Sequence, residues 1–428
     1  MAVIDFMDYR SRRGGYTYGD TGDDLDPFGY EDEFDDPFDY EDEESSLRER
    51  NPAVSHQRLR SVLQAAILTA SVVGVILLII LQTRSRVFTS ASYRKLADIV
   101  AQENAGYLPV DGHIITYSRD GISCMDANAG KVWSVTFEMQ QPIVDVSGSV
   151  AAIADYNGSI VYVVNTTKLL GTISTNMPIH SISVAENGEV AAVLEDGDTT
   201  WVYLYDNTGN TIAYFRTTMN QSGYPISAAI SPGGDLVSIS HLTIGRSHVN
   251  TSIAFYNFGA VGQNVRENNV SGFNYDDEVF PVVKFMNEET SVAVSDRRMV
   301  FFKGTEIPQS TANLMFSENI LGVYISSSYV ALLFPDTTGQ EAYSLRIYNT
   351  DGAETGRIQF SMDYTNIQLS ADRVLIYNDQ TIQMYSVTGL LKYEGQFPGF
   401  VQAVVPVTTS SNKLLLVTPL TVERMTLE

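Results

Sequence analysis

Residues 179–215 read IHSISVAENGEVAAVLEDGDTTWVYLYDNTGNTIAYF. The stretch divides into four apolar or alternating segments, IHSISV, EVAAVL, WVYLYD and TIAYF, with ENG, EDGDTT and NTGN between them. Val, Ile, Tyr and Trp crowd the segments, whereas Gly, Asn and Asp fill the gaps, as β-strands joined by tight turns require. Comparable units begin near Tyr107, Pro142, Pro178, Pro225, Pro281, Asn319, Tyr364 and Val401. Most of the spacings are roughly 35–45 residues, the length of one four-stranded propeller blade. The turns repeat too: residues 126–130, 206–209 and 385–389 each lie between a third and a fourth strand and bring a Gly, which supplies the positive φ of a tight hairpin. An all-β chain with a seven- or eight-bladed β-propeller over residues 106–428 follows, with stacked sandwiches as the competing all-β reading. The last unit, residues 401–428, holds only three strands, and the segment near residues 87–96 is expected to supply the fourth and close an eight-bladed ring.

Upstream of the repeats, residues 61–81 read SVLQAAILTASVVGVILLIIL, without a charge, between Arg60 and the pair Arg84 and Arg86. At about 1.5 Å per residue such a helix spans roughly 30 Å, the hydrocarbon core of a bilayer, so one transmembrane helix is expected over residues 61–82. Residues 83–105 form a juxtamembrane connection with helical character at residues 93–102. The flanking basic residues are balanced. The orientation therefore rests on the habit of an internal apolar segment to act as an uncleaved signal anchor, which puts the N-terminus in the cytoplasm and the propeller outside.

Residues 1–60 carry 7 Lys and Arg against 17 Asp and Glu, and few aliphatic residues, so a disordered acidic arm is expected there. It contains a tandem repeat, DPFGYEDEFD at residues 26–35 and DPFDYEDEES at residues 36–45. Phe28, Tyr30, Phe38 and Tyr40 are the candidate anchors for a cytoplasmic protein partner with a basic-ringed aromatic pocket, and the duplication raises effective concentration. A solvated tail without a partner is the alternative. The net charge of −24, shared by arm and domain, argues against DNA, RNA and peripheral lipid as partners. The single cysteine, Cys124, excludes an intrachain disulfide.

The segment MDANAGKVWSV (residues 125–135) resembles the blade signature of quinoprotein-like propellers, and AAISPGGDLVSIS (residues 228–240) is similar to the inner strands of a WD40-type blade. The layout as a whole is similar to an uncharacterised family of single-pass, membrane-anchored propeller proteins of Gram-positive bacteria. That resemblance implies a fold and a location more than an activity. Only Trp133 and Trp201 are present, so the repeated tryptophan docking of quinoprotein dehydrogenases is missing.

Chemistry leaves few marks. The chain lacks HExxH, GxSxG, Walker, GxGxxG and CxxC patterns, and its five histidines are scattered. His241 and His248 lack a third metal ligand, and the acidic turns at residues 195–198 and 276–278 match no calcium loop. No catalytic residue, cofactor or metal site is therefore expected. The longer loops fall between second and third strands and between blades, which open on one face of a propeller. The stretch NNVSGFNYDDEVF, residues 268–280, reads as the exit from the fourth unit to the fifth, with Phe273, Tyr275 and Phe280 as binding anchors, and tolerated insertions without a partner are the alternative. The function expected is a non-catalytic, membrane-anchored binding or scaffolding protein, whose propeller holds a protein or cell-wall ligand while the arm recruits a cytoplasmic partner. A propeller enzyme acting on a glycan or using a quinone is the alternative.

Overall fold

Strand-forming residues and turn residues alternate along the chain, and the computed structural model follows that alternation. It describes residues 64, 66–75, 86–100, 105–197, 199–218, 222–245, 248–407 and 410–428. The chain divides into two units, Met1–Leu78 and Ile79–Glu428. In the second unit the strands form eight four-stranded antiparallel sheets. Blades 1 to 7 each use four successive strands, over residues 106–136, 142–174, 179–217, 224–276, 282–315, 322–360 and 366–396. The ring is an eight-bladed β-propeller.

Blade 8 takes three strands from residues 403–427 and its outer strand, Ala91–Asp98, from the other end of the domain. That strand pairs antiparallel with Thr421–Leu427, from Ala91 opposite Leu427 to Asp98 opposite Thr421, with a bulge between Lys95 and Ala97. The helical character expected from residue 93 is corrected here: Tyr93 to Asp98 are extended, because the free edge of Thr421–Leu427 offers a partner for every second backbone group and tertiary pairing overrides local propensity. Closure also uses side chains. Arg424 donates to the Ala127 carbonyl and to Asn128 Oδ1, both at 2.8 Å, and Tyr107 Oη lies 3.1 Å from Gln402 Oε1, so that blade 8 is fastened to blade 1.

The core is divided among the blade interfaces. In blade 3, Val190, Ala192 and Leu194 pack toward blade 2, while Ala191 and Val193, on the opposite face of the same strand, pack toward blade 4. In blade 6, Val330, Leu332 and Phe334 face blade 5, and Ala331 and Leu333 face blade 7. A strand with a neighbour on each side must be apolar on both faces, so EVAAVL and YVALLF lack the polar alternation of a half-exposed strand. Ile114 of blade 1 packs with Ala403, Val405 and Leu415 of blade 8, the last interface of the ring.

The turns between third and fourth strands show why several third strands close on Asp or Asn, although those of blades 5 and 7 close on Lys303 and Ser386. Asp126 Oδ1 accepts from the backbone N–H of Asn128 and Gly130, at 2.8 Å each. Asp206 Oδ1 accepts from Thr208 and Asn210, at 2.9 Å each, and Asn349 Oδ1 from Asp351 and Ala353, at 3.0 and 2.9 Å. Gly209 and Gly389 provide positive φ at 91° and 85°, but in the first turn that role falls to Ala129 at 62° and not to Gly130.

In the first unit, Gln64 and residues 66–75 are helical. Among the described residues no helix is long and apolar enough to cross a membrane. The other positions of the expected span at residues 61–82, 76–82 among them, lie outside the described residues, as does the expected disordered arm at residues 1–60.

Candidate functional site

Antiparallel order gives the ring two distinct faces. Turns from first to second and from third to fourth strands lie on one, here termed the turn face. Loops from second to third strands and from blade to blade lie on the other, the loop face. The chain enters the ring on the turn face: Phe88 N–H donates to the Lys392 carbonyl at 2.8 Å, and Thr89 N–H to the Glu428 carbonyl at 2.9 Å.

The anchors expected on the loop face are brought together, but as packing. Asn269–Asp276 is the outer strand of blade 4, not a loop. Phe273 lies 4.9 Å from Phe302 between ring centroids, and Tyr275 lies 4.6 Å from Phe280. Phe280 has 0% exposure and belongs to the core between blades 4 and 5. Burial pushes the Tyr275 phenol up to about 12, with Arg298 opposing and Glu278 assisting. The spacing Phe273-x-Tyr275 carried the signal of a strand with one face packed. The residues actually inserted precede that strand: two short helical turns, Gly262–Asn264 and Arg266–Asn268, lie on the turn face between third and fourth strands.

The acidic turns are occupied by their own neighbours. Glu278 receives Arg298 at 2.8 Å from Nε and 2.9 Å from Nη2. Glu195 accepts from Tyr224 Oη at 2.5 Å and lies 3.3 Å from His180 Nδ1. His241 and His248 do not meet. His241 pairs with Ser252 and its Nε2 lies 3.2 Å from Tyr256 Oη, whereas His248 sits at the tip beyond the Ile244–Val249 pair. Among the described residues no three His, Cys, Asp or Glu side chains converge to hold a metal ion. Phe28, Tyr30, Phe38 and Tyr40 lie outside the described residues.

Two features of the loop face were not legible in the sequence. The first is an aromatic and ionisable group contributed by three blades: Tyr156, His180, Glu195 and Tyr224. The His180 ring lies 5.6 Å from Tyr156 and 5.9 Å from Tyr224, and burial followed by Glu195 raises the Tyr224 phenol strongly. The second is a series of exposed apolar side chains on loops of blades 5 to 8. Phe400 is 62% exposed, Leu420 70% and Leu321 54%, and all three stand on loops that connect blades or their second and third strands. Leu321 stands between blades 5 and 6, whereas Phe400 and Leu420 stand at blade 8, where Ile99 N–H donates to the Leu420 carbonyl at 2.9 Å.

Between the faces, the channel is crossed by a salt bridge. Lys284 Nζ, on the inner strand of blade 5, lies 2.5 Å from Asp145 Oδ1 on the inner strand of blade 2. Asp145 Oδ2 also accepts from Val184 N–H at 2.9 Å and Ser183 Oγ at 3.0 Å. A carboxylate that already holds three donors is a strut between blades.

These observations define a closed eight-bladed propeller with a braced channel and a loop face that exposes apolar side chains. Residues 84–427 match the family of unknown function DUF5711, and the chain belongs to that family. Among solved structures the fold is similar to BamB from Moraxella catarrhalis, with 13% identity, coverage of 78% of this chain and 100% of that one, and a TM-score of 0.44. It is similar also to Kluyveromyces lactis Hsv2 (9% identity, 71% of this chain and 100% of that one, TM-score 0.45). The Neurospora crassa Pan2 WD40 domain is a third (10% identity, 66% and 88%, TM-score 0.41). These likenesses concern the fold alone. No curated protein matches the chain.

Proposed function

We propose that the chain is a non-catalytic, membrane-anchored binding or scaffolding protein, whose propeller recognises an extracytoplasmic protein or cell-wall ligand through its loop face. The observation that carries the reading is the distribution of side chains on the ring: Phe400, Leu420 and Leu321 stand exposed on the loop face, while the channel, the usual catalytic cavity of a propeller, is braced by Asp145 and Lys284. Apolar side chains presented by rigid loops suit partner recognition. The uncharged sequence at residues 61–81 supports the anchor, and the DPF repeats with Phe28, Tyr30, Phe38 and Tyr40 support recruitment of a cytoplasmic protein by the arm. In this reading the N-terminus is cytoplasmic and the propeller is outside.

The test uses the full chain in cells. It should remain in the membrane pellet after alkaline carbonate washing, and protease added to intact cells or protoplasts should remove the ring and spare the arm. Cross-linking should recover a partner that is lost from the double variant Phe400→Ser, Leu420→Ser, with thermal melting unchanged. Release by carbonate refutes the anchor, the reverse protease pattern refutes the orientation, and undiminished cross-linking refutes the loop face.

A further inference from the structure

On the outer wall of the ring, away from the channel, blade 3 carries a stack of tyrosines. Its third and outer strands, Thr199–Tyr205 and Thr211–Thr217, pair so that Tyr203 lies opposite Tyr214 and Trp201 opposite Arg216. Residues two apart on a strand share a face, so Trp201, Tyr203 and Tyr205 stand together on the side turned to blade 2, with Tyr214 and Arg216 beyond them. The rings of Tyr205 and Tyr203 stack at 5.5 Å between centroids and those of Tyr203 and Tyr214 at 5.0 Å, each pair 14° from parallel. Trp201 leans on the stack, 6.3 Å from Tyr203 at 51° and 5.9 Å from Tyr214 at 52°. Burial is graded along it: Tyr205 is 2% exposed, Tyr203 is half-buried and Tyr214 is 50% exposed, so the last ring has Tyr203 on one face and leaves the other to solvent. The phenols stand close enough to act on one another, because burial and then Tyr214 raise Tyr203, and burial and then Tyr203 push Tyr205 up to about 12. The turn after Tyr205 closes tightly on the outer strand of blade 2, where a Cβ at Gly171 would stand 1.7 Å from the Asn207 carbonyl oxygen. In a chain of net charge −24, the three strands that frame the stack, Leu169–Ser174, Thr199–Tyr205 and Thr211–Thr217, contain no carboxylate and a single cation, Arg216.

An open aromatic face, fixed from behind and bordered by hydroxyl groups with almost no charge, complements an uncharged ring that has C–H bonds on its face and hydroxyls round its rim. The C–H bonds meet the negative π face, and the phenols and the guanidinium reach the hydroxyl and ring oxygens. A polyproline peptide asks instead for a groove with aromatic rings set side by side, whereas these rings overlap and present one open face. We propose that Tyr214, backed by Tyr203 and flanked by Trp201 and Arg216, is a stacking subsite for a neutral β-linked pyranose unit of a glycan, whose axial C–H bonds offer such a face. The inference stands on the ring alone and needs neither the loop-face partner nor the membrane anchor of the reading above.

The experiment uses the full chain in phosphatidylcholine nanodiscs, with cellotetraose as the probe and saturation-transfer NMR referenced to empty discs. Saturation should reach the C–H protons of the sugar, and the Kd read from its concentration dependence should rise about tenfold in Tyr214→Ala, which removes the open ring. Tyr214→Phe keeps the ring and should stay within about threefold of the parent, while Arg216→Met, which leaves the stack untouched, should weaken the probe about threefold. Phe400→Ser, on the loop face, should leave it unchanged. Circular dichroism confirms that each variant is folded, and Tyr214 and Arg216, being exposed, are replaced without opening the core. Absence of transfer to cellotetraose at millimolar concentration, or an affinity indifferent to Tyr214→Ala, overturns the proposal. A proline decamer that displaces cellotetraose, and whose own binding is lost in Tyr214→Ala, overturns it too and assigns the stack to a peptide.

Discussion

Replacing Asp145 by Asn and Lys284 by Met, singly and together, tests whether the inner strands of blades 2 and 5 converge on one channel. The two residues are 139 apart in sequence and three blades apart in the ring, and meet only if closure brings those strands together. The asparagine side chain keeps the shape of the carboxylate and can still accept from Val184, but sets an amide N–H₂ or a neutral oxygen against the ammonium. Loss of a charge-assisted bond of this kind costs about 1.5–3 kcal/mol. The Lys284 side chain is 40% exposed, so solvent screens part of the attraction, and a coupling of about 1 kcal/mol is expected from the double-mutant cycle. Asp145→Ala should cost about 1–3 kcal/mol more than Asp145→Asn, because the buried Val184 N–H loses its acceptor as well. Urea midpoints followed by the fluorescence of Trp133 and Trp201 provide the four corners of the cycle, compared at constant slope. A coupling below about 0.3 kcal/mol would refute the strut and with it the convergence of these strands.

Phe280→Ala should destabilise the ring by about 3–5 kcal/mol, whereas Phe400→Ser should change it by less than about 0.5 kcal/mol; chemical denaturation distinguishes a packed residue from an exposed one. Deleting residues 87–98 bares the edge of Thr421–Leu427 and removes Phe88 and Tyr93 from the core between blades 7 and 8, so the melting temperature should fall by more than about 10 °C and aggregation should appear in size-exclusion chromatography. A chain begun at residue 86 should melt as the whole chain does. Burial pushes the His241 imidazole down to about 4, against an ordinary value near 6.5, so the unfolded state takes the proton first. Its stability contribution is complete above about pH 6.5 and is lost as pH falls through 4, by about 3 kcal/mol; His241→Asn should flatten that part of the stability curve measured by denaturation at each pH.

How much could be read in advance depended on whether the signal was local. Turn chemistry and strand composition repeat along the chain, so a unit was visible wherever an Asp or Asn closed a third strand, as at Asp126, Asp206 and Asn349, and a run such as EVAAVL preceded it. Even the donor of the eighth blade's outer strand was legible, because a three-stranded terminal unit leaves an unpaired edge that a segment near residue 90 can satisfy. The boundary between strand and loop was less legible where Gly, Asn and Asp interrupt an outer strand: NNVSGFNYD has the composition of a loop, and only pairing with Val249–Asn257 makes it extended. Phe273 and Tyr275 are half-buried against the core for that reason, and Phe280, beyond the strand, is buried between blades 4 and 5.

Reading the chain residue by residue was enough for the repeat, the strand class, the acidic balance and the apolar segment ahead of the ring, because each depends on neighbours within a few residues or on composition. Closure in three dimensions was needed to set the number of blades at eight. It also paired Asp145 with Lys284 across the channel. Asp145 and Lys284 lie three blades apart, and nothing in their local sequence encodes the closure that brings them together.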